Sequence, residues 1–296
     1  MRYGLCCMFK EQPIKFSNTT ARSLSVKSRK DSLKKLSLLC LNNARSLSQA
    51  FKWCSDNGIG DFRIVSQILP LKTHPEAGYK IGDLPDSEEI IAIFKSCGDF
   101  SRQKNVRSSL HPDQFVVLSS PDPKVVAASI AEIEYQTEVA QWTGADVINI
   151  HGGGAYGDKS SALARFAENF KKLSPEARKR LTVENDDKIY SPSDLLPLCH
   201  KLQIPLVYDV HHHRCLPDSL TGKQATEAAL ATWNREPMFH ISSPREGWQG
   251  PKPHCHHDFI DPQDFPVFWK KLDITVEIEA KAKEIAVKRL IDELKI

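Results

Sequence analysis

The sequence has no CxxC pair, and its eight cysteines (Cys6, Cys7, Cys40, Cys54, Cys97, Cys199, Cys215 and Cys255) are scattered along the chain. That spacing argues against both a disulfide framework and a thiolate zinc site, so the thiols read as reduced core or surface groups. No apolar run approaches the roughly 20 residues of a membrane span, and the opening Met1-Arg2-Tyr3-Gly4-Leu5-Cys6-Cys7 lacks the long apolar core of a secretory signal. An intracellular protein with no membrane partner is expected, in cytoplasm or nucleoid if the source is prokaryotic. Internal repeats, low-complexity tracts and an obvious linker are also missing, which favours one domain over 1–296 rather than two smaller ones. Surplus charge is scarce as well, and a net +3 establishes no nucleic-acid partner. The one asymmetry is N-terminal: Lys15, Arg22, Lys27, Arg29 and Lys30 precede the next acid, Asp31, with Lys34 and Lys35 just after it. Such a run is weak support for phosphate binding, since a solvated helix face reads the same way.

What the sequence does have is histidine in an ordered arrangement. Seven of eleven histidines lie between residues 211 and 257, and His111 and His151 each end a short strand-like run. Strand-like runs occur near 2–7, 62–67, 106–110, 146–150, 181–184, 205–209, 238–242 and 274–279, with helical patterns between most of them. Eight alternations predict a single-domain (β/α)8 TIM barrel. Asp122-Pro123 and Ser191-Pro192 each place a capping side chain before a proline suited to the first helical position.

Alternation along each strand then sorts the side chains. Thr182 and Glu184 share a face, as do Val147, Asn149 and His151; Arg107, Ser109 and His111; Val207 and Asp209; Met238, His240 and Ser242; and Thr275, Glu277 and Glu279. With the apolar face under the helices, the barrel interior is polar, and His111, His151, Glu184, Asp209, His240 and Glu279 converge at the C-terminal mouth. Burying so many ionisable groups without a cation is costly, so the set is expected to hold metal. Imidazole and carboxylate ligands without cysteine suit zinc or manganese. In His211-His212-His213 the middle residue is the favoured ligand, with its neighbours behind it or facing solvent. The loop Pro253-His254-Cys255-His256-His257-Asp258 offers three imidazoles, one of which is expected to reach back to the site. Glu277, one inward step below Glu279, reads as structural, with Arg63 or Arg107 neutralising it. Gly152-Gly153-Gly154 after His151 suggests close approach of substrate to the backbone.

Taken in order, several segments resemble the UV damage endonucleases, manganese- or zinc-dependent DNA repair enzymes on a TIM barrel related to endonuclease IV. They are Gly4-Leu5-Cys6-Cys7, Phe62-Arg63-Ile64-Val65-Ser66, His111-Pro112-Asp113-Gln114-Phe115, His151-Gly152-Gly153, Glu184-Asn185-Asp186-Asp187, Asp209-Val210-His211-His212-His213, His240-Ile241-Ser242-Ser243-Pro244 and Glu279-Ala280-Lys281-Ala282-Lys283-Glu284. The resemblance implies incision of damaged double-stranded DNA immediately 5′ of cyclobutane pyrimidine dimers and 6-4 photoproducts, with a 3′ hydroxyl left behind and abasic sites as a further substrate. It implies two or three divalent ions, Mn2+ or Zn2+, held by His111, His151, Glu184, Asp209, His212, His240, His256 and Glu279, with His254 and His257 nearly as eligible as His256. Glu184 and Glu279 would bridge ions in catalysis, Lys281 or Lys283 would assist the phosphate, and Gln114 and Phe115 would probe the lesion. Leu5 is expected to contact the lesion as well. Two positions depart from the family pattern: Met238 stands where many members have a lysine, and Leu5 where some have an aromatic lesion contact. A monomer is expected. Other readings are an endonuclease IV-like apurinic endonuclease, a metal-dependent sugar isomerase on the same barrel, and a metal-dependent DNA-binding module.

Overall fold

A computed structural model describes residues 1–294. Eight parallel strands close into a barrel in chain order: β1 (Arg2–Cys6), β2 (Asp61–Ile64), β3 (Arg107–Leu110), β4 (Val147–His151), β5 (Leu181–Glu184), β6 (Leu206–Asp209), β7 (Met238–Ile241) and β8 (Thr275–Ile278). The barrel closes where Arg2 pairs with Thr275 and Gly4 with Glu277, so β1 lies beside β8. The strands lie where the sequence pattern puts them, with ends displaced by a few residues at most.

The helices are α1 (Ala21–Ser25), α2 (Arg29–Asp56), α3 (Ser87–Lys104), α4 (Pro123–Thr143), α5 (Lys159–Phe170), α6 (Pro175–Arg180), α7 (Pro192–Leu202), α8 (Val210–Cys215), α9 (Gly222–Leu230) and α10 (Glu284–Leu294). The two proline signals mark real starts. Asp122 accepts from the Lys124 amide ahead of Pro123, and Ser191 forms a reciprocal cap with Asp194 ahead of Pro192. In α2, Leu36, Cys40, Ala44, Leu47, Phe51 and Cys54 are buried at helical spacing, which lays one face of the helix on the sheet. The basic stretch is not a continuous helix. It runs through a loop and α1 into α2, where the Arg29 guanidinium donates to the carbonyls of Ala77 and Gly78.

Two kinds of interior result. Between sheet and helices lies an apolar layer that includes Leu5, Phe62, Leu110, Ile148, Val183, Tyr208, Phe239 and Ile278. Inside the barrel most residues of opposite parity are polar and several are bonded across strands, Thr182 to Asn149, Ser109 to Glu277, and Arg107 to Thr275 at 3.0 Å, with the buried apolar side chains of Val147, Val207 and Met238 among them. Among the described residues, no helix is long and apolar enough to cross a membrane.

Candidate metal centre

Six strand ends bring His111, His151, Glu184, Asp209, His240 and Glu279 to the C-terminal mouth, and the first turn of α8 adds His212. Register does the placing, since His151 pairs with Glu184 and Asp209 with His240. Potential ligand atoms fall into three overlapping groups, each within 4.8 Å: His111, His151 and Glu184; Glu184, Asp209 and His212; Asp209, His240 and Glu279. Two carboxylates are shared between groups, Glu184 and Asp209. The sequence points to Glu184 and Glu279 as the bridging pair, but Glu279 belongs to one group only.

Glu184 is the hub. His111 Nε2 lies 3.1 Å from its Oε2, and His240 Nδ1 and His212 Nδ1 lie 3.2 and 3.3 Å from its Oε1. Asn149, itself held by Thr182 at 2.9 Å, donates to the same carboxylate from below. Asp209 caps α8 through the His212 amide at 2.7 Å, which fixes the His212 ring above it. Two buried polar atoms of this ring, His151 Nδ1 and Asp209 Oδ2, have no hydrogen-bond partner among the described residues. Orphaned donors and acceptors in a ring of ligands are costly unless a further group satisfies them, and an imidazole–carboxylate set without thiolate matches a divalent cation.

The electrostatics follow from packing like and unlike charges together. Burial alone would raise the Glu184 carboxyl, but the imidazoles of His240 and His151 and the hydrogen bonds from His111 and His212 hold it well below the usual carboxylate range. Burial opposes charging His240, yet Glu184 and Glu277 outweigh it and push the imidazole up to about 10. His212 is likewise raised by Asp209 and Glu184 against its burial, whereas burial wins at His151 and lowers it. Glu279, despite burial, is held below the ordinary range by Arg63 and His240.

The histidine-rich segments separate cleanly. His213 is not exposed: its ring bridges Tyr208 Oη at 2.8 Å and Asp218 at 3.0 Å. His211 is fully buried, bound through Nδ1 to the Ser242 carbonyl at 3.1 Å. In the later loop, His257 Nδ1 is engaged with Phe259, His254 is exposed, and His256 Nδ1 lies 3.7 Å from Glu279 Oε2. Of the three, His256 is the one facing the ligand set.

Gln114 and Phe115 are exposed at the mouth, Phe115 with 78% of its surface in solvent. They line a cavity of about 1360 Å3 that also reaches Tyr156, His151, Glu184 and Glu279. Leu5 does not join them. It is fully buried on the outward face of β1, among the apolar residues under the helices, because inward parity on β1 belongs to Gly4. Lys281 is exposed, and its side chain is not among those lining the cavity. The glycines after His151 serve internal packing. A Cβ on Gly152 would lie 2.7 Å from the Tyr190 ring, and one on Gly153, at φ +83°, would run into Ser119 Oγ.

The sequence leaves two inward residues of β2 unassigned or only half-assigned. Arg63 bonds Glu277 through Nε at 2.5 Å and Glu279 through a terminal nitrogen at 2.7 Å. Asp61 is fully buried, and neither carboxylate oxygen is hydrogen-bonded among the described residues; burial, then the nearby Glu277, pushes its carboxyl well above the usual range. Strand parity is the available signal: Asp61 and Arg63 alternate with apolar Phe62 and Ile64. Met238 is fully buried but lies outside the apolar layer, as its inward parity requires.

The model of the family described as UV-endonuclease UvdE matches residues 1–296. A protein named UV DNA damage endonuclease from Bacillus velezensis is 35% identical over 302 residues, covering 97% of this chain and 91% of its own. A crystal structure described as SacUVDE superposes with a TM-score of 0.87 at 32% identity, over 100% of this chain and 98% of that one. Endonuclease IV from Thermus thermophilus shares the fold at a TM-score of 0.63 and 13% identity, over 100% and 98% of the two chains.

Proposed function

This chain belongs to the UV-endonuclease UvdE family, and we propose that it is a divalent-metal-dependent repair endonuclease that cuts one strand of duplex DNA immediately 5′ of a UV photoproduct. Cyclobutane pyrimidine dimers and 6-4 photoproducts are the proposed substrates, and Mn2+ or Zn2+ the proposed cofactor, in two or three copies. The observation that carries the reading is the overlap of three potential ligand groups through Glu184 and Asp209, directly below a cavity edged by Gln114 and Phe115.

His111, His151 and Glu184 would hold one ion; Glu184, Asp209 and His212 another; Asp209, His240 and Glu279 a third, with His256 beside the last. Bound divalent cations would supply Lewis-acid activation of water and stabilisation of charge on the scissile phosphate. The protein's own part is positional. Asn149 and Thr182 lock Glu184, and the α8 cap locks Asp209 and His212, so these three are pre-set by the sheet and by the helical turn that follows β6. Phe115 presents an aromatic face that can fill an unstacked step, and Gln114 brings hydrogen-bonding groups to the exposed base edges. A damaged step is the cheapest to unstack, which makes such a wedge selective.

The test is incision of an end-labelled duplex carrying a single pyrimidine dimer, a single abasic site or no lesion, with Mn2+, with Zn2+ and with EDTA. Metal-dependent cutting of the dimer duplex at its 5′ side, leaving a polymerase-extendable 3′ hydroxyl, is the expected result. Cutting at the abasic site alone would replace this reading with an endonuclease IV-like one. Metal-dependent retention of DNA without cutting would make the protein a binding module, and turnover of a free ketose without any incision would make it a sugar isomerase.

A further inference from the structure

His240 has two chemically distinct edges in the barrel. Its Nδ1 lies 3.2 Å from Glu184 Oε1 and 3.5 Å from Glu279 Oε1, on the side of the ligand groups. Its Nε2 lies 3.0 Å from Glu277 Oε2 and 3.1 Å from a terminal nitrogen of Arg63, on the side of the barrel interior. The register of β7 and β8 builds this pairing directly, because His240 and Glu277 are opposite one another across the two strands. Glu277 is itself immobilised. It is 1% exposed, its Oε2 accepts from Arg63 Nε at 2.5 Å, and its Oε1 accepts from Ser109 Oγ. The other inward side chains of β7 and β8 below His240 offer it no anion: Met238 carries an uncharged thioether, and Thr275 is bonded to Glu236.

We infer that Glu277 is a positioning residue for the proposed reaction, one that keeps the His240 proton on Nε2 and so aims the Nδ1 lone pair at the group formed with Asp209 and Glu279. This rests on the metal-dependent reading above. The physical ground is general: an imidazole that binds a cation through one nitrogen needs its tautomer and ring angle fixed, and a carboxylate on the other N–H does both while raising the basicity of the ligating nitrogen. Glu277 is placed to do this: Nε2 lies between its carboxylate and an Arg63 terminal nitrogen, and of these two neighbours only the carboxylate can accept the Nε2 proton, the guanidinium having no acceptor.

The experiment compares Mn2+ binding to wild type, Glu277→Gln, Glu277→Asp, His240→Ala and the double variant Glu277→Gln/His240→Ala, by calorimetry and by the EPR signal of free Mn2+, each protein first checked for folding by thermal denaturation. Loss of a carboxylate behind a ligating histidine costs roughly 10- to 100-fold in affinity, and Glu277→Gln is expected to weaken one Mn2+ by about that factor. Glu277→Asp keeps the charge beside Arg63 but withdraws it from Nε2, and is expected to show a loss as well; it also serves if the glutamine variant does not fold. In the His240→Ala background, Glu277→Gln is expected to add nothing, since the coupled effect has lost its carrier. Nitrogen-15 histidine spectra of the Zn2+-loaded wild type should show the His240 proton on Nε2. Unchanged affinity in both folded Glu277 variants, or an undiminished loss in the His240→Ala background, overturns the inference and leaves the proposed function standing. Wild-type protein that takes up no Mn2+ or Zn2+ overturns the proposed function, and this inference with it.

Discussion

At the floor of the barrel Arg107 forms a two-pronged pair with Asp146 at 3.0 and 2.9 Å, and Arg2 pairs with Glu236, which also accepts from Thr275, each at 2.7 Å. At the mouth, Glu184, Asp209 and Glu279 face imidazoles at 3.1 to 3.7 Å, and His151 Nδ1 and Asp209 Oδ2 have no hydrogen-bond partner among the described residues. Both regions are polar and lie at opposite ends of the same strands, the mouth largely buried and the floor half-buried. The floor contains its own counter-ions as guanidinium groups, which cannot give up their charge. The mouth is furnished with imidazoles, which can exchange a proton for a metal. A closed network of the first kind supports structure, and an array of the second kind supports chemistry.

The sharpest way to break that contrast is at the hub. Glu184→Gln removes the charge shared by two ligand groups and should lower incision of a dimer-containing duplex by about 1000-fold or more, equivalent to about 4 kcal/mol of barrier. Duplex affinity, supplied mainly by phosphate contacts, should change far less. Gel-shift and single-turnover measurements on the same preparation decide it, and parallel loss of binding and cutting would make Glu184 structural.

A floor substitution should do the reverse. Arg107→Met leaves Asp146 with the Arg235 guanidinium at 3.4 Å but without its two-pronged partner and should cost about 2 kcal/mol of stability, below the range for fully buried pairs because Asp146 retains Arg235 and solvent contact. Urea midpoints would read the loss; incision per folded molecule should stay within about twofold of wild type, and a collapse in activity would erase the distinction between floor and mouth. At the rim, replacing Gln114 and Phe115 together by alanine should reduce discrimination between damaged and undamaged duplex by about tenfold, the scale of one lost stacking contact, with metal content unaltered by elemental analysis. Retained discrimination in a binding competition would move lesion reading to another part of the cavity wall.

The smallest effect sharpens the comparison from a floor acid whose carboxyl no hydrogen bond holds among the described residues. Asp61 has a raised carboxyl, first from burial and then from Glu277. The folded state therefore holds a proton that the unfolded state releases above about pH 4, so Asp61 penalises stability increasingly as pH rises from there toward neutrality. Asp61→Asn should flatten that part of the stability curve and raise stability near neutral pH by about 1 kcal/mol. A variant whose pH profile follows wild type would show that the carboxyl is not titrating in that window.

The strand-end residues are legible because one rule, alternation, assigns all of them at once: a residue at the end of a β-run whose inward neighbours are polar points into the mouth. Glu277 and Arg63 are visible by the same rule, but which side of the His240 ring Glu277 meets depends on the register between β7 and β8. That is long-range geometry no local pattern encodes. Leu5 misleads because its neighbours match a motif although its parity faces the helices. Gly152 and Gly153 read as open backbone, when the space beside them is filled by Tyr190 and Ser119 from elsewhere in the chain. His256 stands level with two neighbours in the sequence because loop residues carry no parity; the short antiparallel bridge between Pro244 and His256 is what turns it inward.

Arg63 meets its two carboxylates only when β8 arrives, 214 residues after β2 in the case of Glu277. Contacts of such separation form late and slowly. During synthesis, then, the first seven strands can lay down an apolar belt and most of the ligands, but the ring has no last stave and Arg63 no anion. Dry closure of that partial barrel would strand a guanidinium, a cost that is lifted only when Glu277 and Glu279 are in place. The strand that completes the wall also completes the centre, and a polypeptide arrested before it should present neither.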